Sequence, residues 1–548
     1  MQESSTAASS VVTIDIRRLP WVRALLADYV YRFDALAPFY AGDPARPEAW
    51  REAVSRTRAH ARPREALARV LEAQLARRDA PAAAREAAAR LARPDTVAVV
   101  TGQQAGVLGG PLFTLLKALT AIRLARRLES EYGVPSVAVF WIDAEDHDWD
   151  EVAGTIVLDA DYELRSLRLP SPPRANEVPV ASVTLDAGVT GLLDELRASL
   201  APTEFTDELI AGLGTAYRPG LGMAEAFGRW LERLLGTRGL VVYDCADPAA
   251  KPLAAPVFVR ELSELGRTWQ LASAAGASLE ARGYHAQVTS HTDGVALFYL
   301  DGGRHAIHRD GDTLIIDGRP HSADALRREA EVHPERFSPN VLLRPLVQDT
   351  LFPTVAYVGG PSELAYLGQL RQVYAHFGVP MPLVVPRATA TLLDSAAARF
   401  LSRYKVPLAA LQPQDEAELN RLLEAQLPPV VEEALQDAAR TIEAKMAAVI
   451  AAVPDLDPTL EGAARSTLGR MTHDLRALHQ KVIHAAKRRH ETLRRQFVRT
   501  RTLVFPHGHP QERTLGFVWF LNRYGPALID ILDRELPAEA GVHVVLTP

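Results

Sequence analysis

Apolar residues recur along this chain in two rhythms, and the switch between them divides it. From about Leu19 to Leu91, Ala, Leu, Arg and Glu dominate at helical spacing, with Pro20, Pro38, Pro47, Pro63 and Pro81 cutting the stretch into short helices. At Val97 the rhythm becomes a continuous β-branched run, Val97-Ala-Val-Val-Thr101, which reads as a buried strand. A glycine-rich loop follows, Gly102-Gln103-Gln104-Ala-Gly106-Val-Leu-Gly109-Gly110-Pro111, and then a helix with apolar residues at Leu112, Leu115, Leu116, Leu119, Ile122 and Leu124. A second run, Val137-Ala-Val-Phe-Trp-Ile142, ends in the charged tip Asp143-Ala-Glu145-Asp146-His147-Asp148. Together these form one βαβ unit, so residues 1–155 read as a helical lead-in and the first half of an α/β core.

Beyond Glu151 the pattern alternates between insertions and returns to the core. Residues 156–220 read as a first insertion, with strands near Thr155–Leu158 and Tyr162–Leu169 broken by Pro170, Pro172, Pro173 and Pro179. The core resumes over 221–282, through a helix near Met223–Leu235 and the strand Gly239–Asp244. A second insertion, 283–337, is an antiparallel meander with Asp-Gly and Gly-Gly turns, in which His305 and His308 fall on opposite strand faces as exposed hairpin residues. Over 338–405 the core returns, and Thr354–Val358, Gly359-Gly360-Pro361-Ser362-Glu363 and a helix from Leu364 to Phe377 repeat the strand, loop, helix order. Ser362 is placed to cap that helix, with Glu363 in its first turn. Residues 406–505 carry two long antiparallel helical patterns broken at Pro454-Asp-Leu-Asp-Pro458, an arm expected to mediate a homodimer. Residues 506–548 are aromatic and apolar enough to pack back onto the core.

Composition narrows the function classes. The 548 residues are 47% hydrophobic and 23% charged, with 61 basic against 67 acidic side chains and a net charge of −6. That is an ordinary globular mixture, with no basic surplus to suggest nucleic acid. The basic run from Lys481 to Arg501, including Lys487-Arg-Arg-His490, reads as a solvated helix face. The single cysteine, Cys245, excludes an intrachain disulfide and a multi-Cys zinc site, fits a reducing cytoplasmic setting, and at a strand end reads as a small packing residue. The first ten residues show no signal-peptide pattern, and no apolar run is long enough to span a membrane.

In a parallel sheet, ligands bind outside the carboxyl ends of the strands, where both the glycine loop and the charged tip must lie. Glycines allow close backbone approach, the helix behind them favours an anion, and Gln103 and Gln104 add amide donors and acceptors. The four consecutive ionisable residues Glu145, Asp146, His147 and Asp148 at the end of a buried strand point to a functional tip.

Several stretches, taken in order, resemble the bacillithiol-biosynthesis BshC family of cysteine-adding enzymes. They are Thr101-Gly-Gln-Gln-Ala-Gly106, Gly110-Pro111, Phe140-Trp141 with Glu145-Asp-His-Asp148, His333-Pro-Glu-Arg-Phe-Ser338 with Asn340, and Arg344-Pro345. Gly360-Pro361 with Glu363, Met381-Pro382, Pro386-Arg387, Pro510-Gln-Glu-Arg513 and Leu521-Asn-Arg-Tyr-Gly-Pro526 complete the set. The resemblance implies a Rossmann-like core with two connecting insertions and a C-terminal coiled coil used for dimerisation, in agreement with the segmentation above. It also implies joining of L-cysteine to glucosaminyl-malate. The family core is similar to nucleotidylyl transferases and class I synthetases, yet Gln103-Gln-Ala-Gly stands where those carry His-Ile-Gly-His.

Amide formation needs an activated carboxyl, and ATP with Mg²⁺ is one source of that activation. The expected binding positions are Thr101, Gly102, Gln103, Gln104, Gly106, Gly109, Gly110, Asn340, Arg344, Gly359, Gly360, Ser362, Glu363 and Arg387. The loop would hold a nucleotide phosphate or the malate carboxylates, with Arg344 and Arg387 adding bidentate recognition. The expected catalytic tip is Glu145, Asp146, His147 and Asp148, acting as general base on the attacking amine. Mg²⁺ held by the same carboxylates ranks lower, because consecutive residues on a strand end point alternately. A metabolite-binding assembly protein without catalysis, and a nucleotidylyl transferase acting on another small molecule, are the alternative readings.

Overall fold

In the computed structural model the run that opens at Val97 is the central strand of a five-stranded parallel sheet. Its strands are β1 (Val97–Gln104), β2 (Ser136–Asp143), β3 (Val241–Asp244), β4 (Thr354–Gly359) and β5 (Leu383–Pro386). They lie in the order β5, β4, β1, β2, β3, and every neighbouring pair is parallel. The strands read as continuous apolar runs because both faces are covered: the first six residues of β1, the first seven of β2 and all of β4 are buried. From β1 the chain steps outward to β2 and β3, then returns to the other side of β1 for β4 and β5. The direction reverses between β1 and β4, so the loops leaving those two strands diverge and open a crevice.

Three helices line that crevice, α1 (Leu112–Tyr132), α3 (Arg344–Leu351) and α4 (Pro361–Leu367), and α2 (Lys251–Ser263) lies behind it, where Lys251 pairs with Glu145. Helix α1 packs on β1 and β2 and stops at Gly133, whose left-handed backbone (φ +63°) returns its N–H to the Leu128 carbonyl. The first insertion is a hairpin of Gly154–Leu158 with Leu164–Arg168, followed by two helices, Gly188–Ser199 and Thr206–Ala216. The second is a five-stranded antiparallel sheet that takes in Phe337–Pro339 as an edge, so the core resumes at α3 rather than at 338.

After β5 the chain leaves the core sheet. Thr389–Leu392 pairs in parallel with Val542–Thr547, which pairs antiparallel with Ser10–Asp15. The helical lead-in thus begins with a strand whose partner lies more than 500 residues away, beyond the reach of local pattern.

The structure describes residues 10–288, 294–311, 313–427, 429–537 and 539–548, without the side chains of Pro429 and Lys487. The first nine residues and the Lys487 side chain, both included in the expectations above, lie outside that description. Two compact units are present, Met1–Leu392 with Gln511–Pro548 and, second, Leu393–Pro510. The second unit is wider than the expected 406–505 because Ser395–Tyr404 packs on Glu491–Val504. Phe400 meets Phe497 edge to face at 6.4 Å, and Arg499 pairs with Asp394 at 2.6 Å. Within it, α5 (Pro429–Ala452) and α6 (Leu460–Arg489) pack on each other across the expected break. Among the described residues no helix is long and apolar enough to cross a membrane.

Candidate active site

A cleft of about 770 Å³ opens at the carboxyl ends of β1, β2 and β4, where the strand order reverses. Gly102, Gln103, Gln104, Asp146, Asn340, Arg344, Gly360, Ser362, Glu363 and Arg387 of the expected residues line it. Thr101, Gly106, Gly109, Gly110, Gly359, Glu145, His147 and Asp148 do not. The cleft also takes in Asp143 from the charged tip and Arg513 from the stretch Pro510–Arg513, neither among the expected site residues, together with Lys117, Glu151, Arg304, Tyr357 and Tyr366.

The glycine loop departs most from expectation. Gly102, Gln103 and Gln104 belong to β1 itself, and the chain then turns through Val107–Gly109, a single buried 3₁₀ turn. Tyr217 fills the inside of that turn: its hydroxyl accepts from the Gly109 N–H (3.0 Å) and donates to the Gly106 carbonyl (3.3 Å). Gly109 has φ +94°, and a Cβ there would lie 2.2 Å from the Phe517 ring. The first N–H of α1 is spent on the Leu515 carbonyl. Gly109 therefore admits the C-terminal segment against the core, and the turn and the first N–H of α1 are taken up by Tyr217 and by that segment rather than left open to a phosphate. Thr101 is likewise structural, its hydroxyl donating to the Val358 carbonyl at 2.8 Å.

At the second loop Gly360, not Ser362, is the helix cap. The Glu363 carboxylate accepts the Gly360 N–H (2.7 Å) and the Tyr357 hydroxyl (2.6 Å), and pairs with the buried Lys117 at 2.5 Å. Burial works to raise the Glu363 carboxyl, but Lys117 and these hydrogen bonds outweigh it and hold Glu363 below the usual glutamate range. Ser362 is exposed at the rim, and Gly359 sits over the Glu363 Cβ. Asn340 spends its side-chain oxygen on the N–H groups of Leu342 and Leu343.

The charged tip divides by role. Glu145 is buried in an ion pair with Lys251 of α2, accepts from the Ser338 hydroxyl at 3.2 Å, and ties the tip to the second insertion. Asp148 is exposed and caps the short helix Trp149–Val152 by accepting the Glu151 N–H (3.0 Å). Both are thus committed to the scaffold rather than to a reacting amine. Asp146 accepts from Gln104 (2.8 Å) and from Arg304 of the second insertion (3.5 Å). His147 Nδ1 lies 3.1 Å from Arg304 Nη1. The same Nδ1 lies 3.5 Å from Asp146 Oδ1, so the imidazole edge, the Asp146 carboxylate and the Arg304 guanidinium form one polar cluster.

Asp143, at the end of β2, faces the cleft with its carboxylate 3.8 Å from Arg344 Nε. Burial raises its pKa, Arg344 opposes, and the charges of Asp146 and Glu145 add to the rise. Arg344 is oriented by Gln348 Oε1 (3.1 Å) and the Tyr366 hydroxyl (2.9 Å). Arg387 is held by the buried carboxylate of Glu512 at 2.7 Å and by the Ala388 carbonyl, leaving little of its fork for a ligand. Arg513, on the same C-terminal segment, lines the cleft with no hydrogen bond or ion pair among the described residues. His308 reaches the cleft rim, whereas His305 turns to the Asp301 carbonyl. Cys245 is buried, and burial pushes its thiol well above the usual range, as befits a packing residue.

Among the described residues no group of three or more His, Cys, Asp or Glu side chains is arranged to hold a metal ion.

Comparison with known proteins places this arrangement. Residues 11–388 match the family model "Bacillithiol biosynthesis BshC, N-terminal Rossmann-like domain", and residues 390–548 match "Bacillithiol biosynthesis BshC, C-terminal coiled-coil domain". A protein of Salinibacter ruber named "Putative cysteine ligase BshC" is 35% identical over 530 residues, covering 95% of this chain and 96% of the relative. Its namesake in Symbiobacterium thermophilum is 36% identical over 550 residues, covering 96% and 98%. That of Chlorobaculum tepidum is 34% identical over 498 residues, covering 86% of each. With its Rossmann-like core, its coiled coil and similarity running through almost its whole length, the chain belongs to the bacillithiol-biosynthesis BshC family.

Proposed function

We propose that this protein is a cysteine ligase that joins the carboxyl of L-cysteine to the glucosamine amine of glucosaminyl-malate. The observation that carries the reading is the cleft at the strand-order reversal, where carboxylates (Asp143, Asp146, Glu151) and cations (Lys117, Arg344, Arg513) line one space. An amine attacks only as the free base, and Asp143, its pKa raised by burial, is suited to accept the amine's proton. Arg513 is the cation available to a substrate carboxylate, with Arg344 as its partner across the cleft lining. Asp146 and His147 act from the edge through Arg304 and Gln104.

Activation of the cysteine carboxyl is assigned to ATP with Mg²⁺. The glycine loop does not fit a phosphate, being filled by Tyr217 and Phe517, so no step is routed through it. A cytoplasmic location belongs to the same reading.

The arm completes it as a homodimer. Val431, Leu435, Ile442, Met446 and Ile450 of α5 are only half-buried against α6, and Leu478 on α6 is 50% exposed. A second copy would cover that stripe. Removal of residues 414–502 is expected to give monomers in sedimentation, and a persisting dimer would place the interface elsewhere.

The deciding experiment is mass spectrometry of the full chain with cysteine and glucosaminyl-malate, with and without ATP and Mg²⁺. A product heavier by one dehydrated cysteine, formed only with ATP, is expected. No product while both substrates bind would shift the function to metabolite binding and assembly.

A further inference from the structure

Gln103 and Gln104 are consecutive on β1, so their side chains leave opposite faces of the sheet and straddle its carboxyl edge. Both line the cleft, and both are half-buried. Each is held at one end by a group of fixed hydrogen-bonding sense. Gln103 Oε1 accepts from Lys117 Nζ at 3.0 Å, and an ammonium group has no acceptor. Gln104 Nε2 donates to Asp146 Oδ2 and to Glu151 Oε2, both at 2.8 Å, and carboxylates only accept. Neither amide can turn over without setting donor against donor or acceptor against acceptor. The free end of each is therefore known: Gln103 presents an N–H₂ group and Gln104 presents a carbonyl oxygen.

We infer that these two amides are the specificity pair for the joining partners: Gln104 Oε1 accepts from the N–H of the substrate amine, and Gln103 Nε2 donates to the carboxyl oxygen of cysteine. The inference rests on the ligase reading and deepens it by naming which chain atoms read nucleophile and electrophile. A neutral amine held through its N–H keeps its lone pair free, which a donor at this position would have engaged. Asp146 and Glu151 then act as positioning residues through Gln104, which accounts for two carboxylates sharing one amide. Lys117 does the same for Gln103.

The test is calorimetry of each substrate separately on the full chain. Gln104→Met is expected to weaken glucosaminyl-malate about tenfold while cysteine changes by less than about twofold, and Gln103→Met to give the reverse pattern. Equal weakening of both ligands by either variant, or the crossed pattern, overturns the assignment. A second measurement does not depend on the substrates. In the chain labelled with ¹⁵N-glutamine, the Gln104 side-chain protons, identified by their loss in Gln104→Met, should lie downfield. They should move upfield in the double variant Asp146→Asn, Glu151→Gln. Resonances that do not move overturn the fixed polarity. If neither substrate binds the native chain but the resonances move, the ligase reading fails and the polarity of the pair stands.

Discussion

Acid should weaken this protein through a residue remote from any chemistry, His543. Its ring is 1% exposed on the strand Val542–Thr547, with one nitrogen 2.9 Å from the Thr391 hydroxyl and the other 2.9 Å from that of Thr389. Burial, opposed by Glu512 and helped by Arg387, lowers its pKa from 6.5 to about 4. Between those values the unfolded chain binds a proton that the folded chain refuses, so the contribution is intact above 6.5 and is lost as the pH falls toward 4. The full interval corresponds to about 3 kcal/mol, and about 2 kcal/mol is gone by pH 5. The assay is urea unfolding of the native chain and of His543→Gln at about pH 7.5 and at pH 5. Glutamine can still bond both threonines but does not titrate, so the variant should lose about 2 kcal/mol less on acidification. Parallel pH dependences for the two chains would refute the argument. The same strand pairs with Thr389–Leu392, which begins two residues after Arg387, so the loosening should reach the cleft rim before the core.

The glycine loop and the charged tip give the other tests. Gly109→Ala forces a Cβ toward Phe517 at positive φ and should cost about 2–4 kcal/mol in thermal unfolding, partly recovered by adding Phe517→Leu. Unchanged stability with lost ligand affinity would instead return the loop to an anion-binding role. Asp148→Ala removes a helix cap and should cost about 1 kcal/mol with turnover retained. Asp143→Asn should lower kcat about 100-fold or more with the melting temperature unchanged, and the opposite ranking of these two variants would sink the role given to Asp143. In the native chain the acid limb of kcat/KM should lie above the ordinary aspartate range, because burial raises Asp143.

The βαβ rhythm, the two insertions and the helical arm were legible because each depends on local periodicity, and burial follows the period closely in β1, β2 and α1. The strand Ser10–Asp15 was not, since its partners are at 542–547 and two of its valines stay exposed. The cleft's place at the reversal between β1 and β4 follows from the strand order once the two glycine-bearing loops are put in one sheet.

Roles within the motifs were less legible, and for one physical reason. A glycine in a strand-to-helix turn states that something approaches closely, but not what, and at Gly109 the visitor is Phe517, more than 400 residues on. An arginine before a cleft states a positive charge, but not whether it is already neutralised: Arg387 is held by Glu512, whereas Arg513, next to Glu512 in sequence, is not. Glu145 and Asp146 are adjacent, yet Lys251 from a distant helix claims the first and Gln104 the second. Local sequence therefore places functional groups near a site, while long-range partners decide which of them remain free to act. Asp143 could have been found from sequence alone, because it ends the same apolar strand as the tip and precedes it on the cleft side. The residues that clasp the tip, Arg304 above all, lie in an insertion whose docking no periodicity reports.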